Sequence, residues 1–107
     1  MDRDRARELL AAERERIERA LTQLRPQDTA EPADDIDPGN LASELYQEEL
    51  DQGLADDLRA ELAAVERAEG RLAADTYGLS IESGTPIPDE RLEALPTAER
   101  TAEEEAR

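Results

Sequence analysis

Leu, Ile and Val make up only 19 of the 107 residues, and no Phe or Trp adds to them. A share below about 20%, joined to a strong net charge, is the composition of a disordered chain unless the apolar residues fall on one line. Here they do. Leu10, Ile17 and Leu24 recur at seven-residue steps, with Ala6, Ala20 and Leu21 on the same side. That spacing is one face of a helix over 3–25. Asp2 and Asp4 suit the positive end of its dipole, Glu15 and Arg19 pair one turn apart, and Pro26 stops the pattern.

Residues 26–40 read as an acidic, Pro-rich loop containing Pro26, Pro32, Pro38 and Gly39. Pro26 and Pro32 should end the first helix well before the turn. Asn40 is one candidate N-cap for the next helix; Asp37 with Pro38 in the first helical position is the other. From 41 to 74 the period is helical again. Leu41, Leu45, Leu50, Leu54 and Leu62 follow it, and Leu58, Val65 and Leu72 form a strict heptad series. Gly53 and Gly70 weaken this helix by about 1 kcal/mol each relative to Ala. At about 1.5 Å per residue it is roughly 50 Å long.

Two amphipathic helices joined by a Pro-rich turn predict an antiparallel coiled-coil hairpin over 1–75. A single narrow seam is all such a hairpin needs, which is how so few large apolar residues suffice. The competing expectation is one helix in a largely disordered chain.

The charge is also localised. There are 29 acidic and 13 basic residues, and every basic one is Arg. Residues 1–25 hold seven Arg and six acids, whereas residues 26–58 hold eleven acids and no Arg. A one-sign block concerns partners rather than fold. With no Cys and no His, disulfides, ordinary zinc, haem and iron–sulfur sites, and Ser-His-Asp or Cys-His catalysis are excluded. The acidity argues against direct nucleic-acid binding. No apolar run approaches the roughly 20 residues of a membrane span, and the Met1–Arg5 start lacks signal-peptide character. The expected location is cytoplasmic. Nothing in the pattern builds a pocket that would bury and activate a carboxylate, so no enzyme is expected. Asp34–Asp37 lack the spacing of a calcium loop.

Residues 76–107 differ in character. Gly, Pro and β-formers sit at turn spacing over 76–88, Asp89–Leu95 suits a short helix before Pro96, and the tail after Thr97 is helix-prone. Tyr77, Leu79, Ile81, Ile87, Leu92 and Leu95 are available for a small core.

The run from Tyr77 to Pro96 resembles the zinc-finger segment of the DksA/TraR family. Its pattern is Y-G-x-C-x-x-C-G-x-x-I-x-x-x-R-L-x-A-x-P with a second C-x-x-C beyond. Here Tyr77, Gly78, Gly84, Ile87, Arg91, Leu92, Ala94 and Pro96 match. The four cysteine positions fall on Ser80, Ser83, Thr101 and Glu104. Hydroxyls are poor zinc ligands at neutral pH and one carboxylate cannot hold the ion alone, so a metal-free, degenerate finger with no cofactor is expected. Ser80 and Ser83 are then free to bond turn backbone, and Thr101 with Glu104 matches the capping-box pattern of a last short helix.

The resemblance extends back through the hairpin. Family members carry a coiled-coil arm with acidic residues at its tip, in a D-x-x-D-x-A pattern. Asp37 and Ala42 match it, Asn40 stands where the second Asp would be, and Asp34 and Asp35 add charge just before. The resemblance implies a mostly all-α transcription regulator, monomeric, that binds RNA polymerase directly. Its acidic tip would enter the secondary channel, without contact to DNA. The alternative is a coiled-coil interaction module that keeps the scaffold and has lost polymerase regulation.

Overall fold

The computed structural model describes residues 1–24 and 38–107, with side chains described over 1–24 and 49–107. Two long helices carry the heptad lines: α1, Arg3–Leu24, and α2, Pro38–Ala73. Two short ones follow: α3, Asp89–Ala94, and α4, Ala102–Glu105. Among the described residues there is no strand, only one antiparallel bridge between Leu79 and Pro86. The fold is all-α.

Charged pairs along the seam show that α1 and α2 run antiparallel. Arg3 Nη1 meets Asp75 at 2.7 Å, Arg14 meets Glu69 at 2.6 Å, and Arg16 meets Glu61 at 3.6 Å. The partner's number falls as the α1 number rises. Between these rails Ala6, Leu10 and Ile17 of α1 are buried with Val65 and Ala68 of α2. The seam is narrow because its apolar residues are few, and the Arg–Glu rails cover its flanks.

The 36-residue α2 spans about 54 Å. It begins at Pro38, so residues 38–40 are helical rather than part of the loop expected over 26–40. Proline suits the first helical turn because its fixed φ is helical and its missing N–H had no partner to lose. At the other end α2 closes one residue early. Asp75 takes φ 60°, its N–H donates to Leu72 O at 3.3 Å, and Thr76 N–H donates to Arg71 O at 2.8 Å. This is a Schellman stop with Asp in the place usually taken by Gly.

The segment after α2 is small. Ile87, Leu92 and Ala98 form its core, and Met1 and Tyr77 pack against them. The Tyr77 hydroxyl donates to Pro96 O at 2.7 Å. Tyr77, Ile87 and Leu92 were expected in this core; Leu79, Ile81 and Leu95 were too, but they are 38%, 50% and 45% exposed. Leu79 and Ile81 flank buried Ser80 where the chain enters a tight turn, and both are left on its solvent side. Leu95 is the C-cap of α3, where the chain turns away from the core. Ala98 and the α1 terminus fill the space instead.

Candidate functional site

Two places were singled out by sequence: the acidic tip and the four former ligand positions. At the tip, Asp34, Asp35 and Asp37 lie outside the described residues. Asn40 and Ala42 fall within α2, but their side chains also lie outside the described set. Leu50 and Leu54, in the arm's next two turns, are 44% and 51% exposed. Leu54 and Leu58 meet Ala20 and Leu24 in a shallow groove rimmed by Asp57 and Glu61.

The four former ligand positions converge. Ser80, 4% exposed, sits at the head of a tight turn: its N–H donates to Thr85 O at 2.8 Å, and Gly84 N–H donates back to Ser80 O at 2.9 Å. Gly84 takes φ 74°, a value that Gly adopts without strain. The Ser80 hydroxyl oxygen accepts from the N–H groups of Glu82 and Ser83 at 3.1 and 3.2 Å. Ser83 and Thr85 share a hydroxyl–hydroxyl bond of 2.8 Å. Across from this turn Thr101 caps α4. Its hydroxyl accepts from Glu104 N–H at 3.2 Å, and its own N–H donates to the Glu104 carboxylate at 2.9 Å. The capping box read from sequence is complete.

One group links the two halves. The Glu104 carboxyl is held down to about 2, first by the Thr101 N–H, then by the Ser80 and Ser83 hydroxyls. Ser80 accepts two N–H bonds and still has its own proton to give. The carboxylate thus feels both former ligand pairs, with its geometric bond coming from Thr101 N–H. That donor set does not fit zinc: three neutral hydroxyls and one carboxylate offer neither thiolate nor imidazole. Their hydrogen-bonding capacity is also spent on each other and on the backbone. Among the described residues no cluster of three or more acidic groups is placed to hold a metal.

Sequence reading missed a third set of residues, those that join arm to finger. Glu99 reaches α2 at two places: Arg67 at 3.1 Å and Arg71 at 3.3 Å. Its backbone oxygen accepts from Ile81 N–H at 2.8 Å. Arg71 is mostly covered, with a side-chain exposure of 14%. On the other helix Arg5 forks onto Glu93 of α3 through two bonds of 2.9 and 2.7 Å. The Arg5 guanidinium holds the Glu93 carboxyl below its ordinary range, and Glu93 raises Arg5 in turn. The only sequence signal for these contacts was Arg67 and Arg71, one helical turn apart, with no acid three or four residues from Arg67.

No family model matches the chain. The sequence is 45% identical over 69 residues to the uncharacterized protein YteA of Bacillus subtilis (strain 168), covering 64% of this chain and 29% of that protein. The chain therefore spans less than a third of that relative's length. Among solved structures it superposes on the transcription factor DksA2 from Pseudomonas aeruginosa with a TM-score of 0.75 and 32% identity. That match covers 98% of this chain and 81% of that one.

Proposed function

The chain belongs to the DksA/TraR family, and on that premise we propose that it is a transcription regulator that binds RNA polymerase directly. On this reading the hairpin is a probe and the finger its mount. The arm enters the secondary channel, Asp37 and Asn40 lie at its tip, and Asp34, Asp35 and Ala42 complete the working end. The observation that carries the reading is likeness across hairpin and finger together, over 98% of the chain, to a protein described as a transcription factor. The charge supports it: an acidic end suits a channel with basic walls and a bound cation. The finger contributes without a metal, through the Ser80–Thr101–Glu104 network. No membrane role is proposed: among the described residues no helix is long and apolar enough to cross a bilayer.

A pull-down against the host's own RNA polymerase at low salt tests the reading. Retention of polymerase by the intact chain, and its loss on Asp37→Ala or deletion of 34–42, is the expected result. No retained polymerase at low salt overturns it. A second reading, an interaction module that has lost the polymerase role, draws on the exposed Leu50 and Leu54. It requires self-association or another protein partner; light scattering over a concentration series reads the first of these.

A further inference from the structure

Finger and arm meet through a small apolar patch and a set of ion pairs, and the two kinds of contact do different work. The patch of Ile87, Leu92, Ala98, Tyr77 and Met1 attracts without direction. The ion pairs are directional, and they fall on both helices of the arm. Arg5 of α1 holds Glu93 of α3 in a two-bond fork. Arg67 and Arg71 of α2 hold Glu99 from consecutive turns. Glu99 is also tied by its backbone to Ile81, at the head of the turn that carries Ser80 and Ser83. One attachment alone leaves an axis of rotation. Two attachments on separate helices remove it.

We propose that the finger is mounted on the hairpin through charged contacts to both arm helices, Glu93 against α1 beside the Met1–Asp89 pair and Glu99 against α2, and that this mount sets the direction in which the arm leaves the finger. Both carboxylates are positioning residues on this account. Neither touches a partner; each aims the tip, some 50 Å away along α2 by the helical rise. The importance of that aim rests on the polymerase reading above, but the mount itself is a property of the free protein. A carboxamide at either position keeps the shape and loses the charge. At Glu99 it also leaves the covered Arg71 guanidinium without its carboxylate partner, so the α2 side depends on Glu99 more than the exposed α1 side depends on Glu93.

The absence of native cysteine makes the test direct. Spin labels at exposed Ala60 on the arm and exposed Ala102 on the finger report the arm–finger distance by pulsed electron resonance. The expected result is a narrow distribution for the parent and a broadened one for Glu93→Gln with Glu99→Gln. Glu93→Arg alone should broaden it, and adding Arg5→Glu should narrow it again. One molar salt should broaden the parent more than the double variant, which keeps only the Met1–Asp89 pair to screen. A double variant as narrow as the parent, or no rescue by the charge swap, overturns the mount. If the finger variants fail to fold by circular dichroism, Arg5→Gln with Arg67→Gln removes the Glu93 fork and one of the two Glu99 pairs from the arm side, and should broaden the distribution in the same direction. Both arginines are about half exposed, at 45% and 55%. The measurement uses free protein, so failure here leaves polymerase binding standing, and a failed pull-down leaves the mount standing.

Discussion

Thr101 and Glu104 show how single residues take over a cross-linking task. Both stand at positions where the resembling pattern has cysteine, and together they form a reciprocal cap. Thr101 is buried, and its hydroxyl is an N-cap acceptor. Thr101→Ala should therefore destabilise the finger by about 1 kcal/mol, read as an earlier thermal midpoint. Glu104 supplies the pH response. Its folded-state value, about 2, lies below the ordinary 4.5. Depression means that its contribution is complete above about 4.5 and fades as pH falls toward about 2. Glu93, also depressed, acts in the same direction. The Thr101 amide resonance, followed through an acid titration, should move in that window, and Glu104→Gln should flatten the curve. Chelator dialysis should leave the melting midpoint unchanged, because the hydroxyl and N–H donors are satisfied by the carboxylate and hydroxyl acceptors around them. One equivalent of tightly bound zinc after purification would sink that account.

The elements divide by how much of them the sequence reveals. The arm's helices are legible because a heptad line is a local, repeated signal: Leu10, Ile17 and Val65 are all buried where the period puts them. The start of α2 was ambiguous because Pro38, Gly39 and Asn40 are poor helix formers by propensity, and position in the first turn overrides that for proline. The finger core was half legible. Six apolar residues over some 20 positions carry no period, so tertiary placement alone decides that Ile87 and Leu92 go in while Leu79, Ile81 and Leu95 stay out. The joint was barely legible, because Arg5–Glu93 and Arg67–Glu99 link distant residues in a chain where Arg and Glu are everywhere. The two helical glycines give the element-scale prediction. Gly53 and Gly70 lie inside α2, and an added Cβ meets nothing within 4 Å at either. Each change to Ala should stabilise the arm by about 1 kcal/mol, or roughly 4–8 °C in the midpoint for a domain of this size. Gly78→Ala should do the reverse, since φ there is 83°.

The whole molecule is electrically lopsided. All 13 Arg lie in residues 1–25 and 59–107, and the described ones in the arm's base and finger mostly face carboxylates. The eleven acids of residues 26–58 have no Arg among them in sequence, and Asp56 draws its Arg59 partner from just beyond that stretch. The surplus therefore sits at the end of the arm away from the finger, and a basic partner would attract that end first. Steering of this kind changes association rates by about tenfold or more at low ionic strength and fades with salt. Net charge and charge position can be separated. Glu49→Gln with Asp57→Asn removes two exposed charges from the arm; Glu103→Gln with Glu105→Gln removes two exposed charges from the last helix. Both variants change the total equally. If position governs the encounter, stopped-flow association with polymerase should slow several-fold for the arm variant at low salt and barely change for the finger variant. The difference between them should vanish as salt shortens the Debye length to about 3 Å near 1 M. Equal slowing by both variants would mean that total charge alone drives the encounter, and the lopsided distribution would then have no part in aiming the arm.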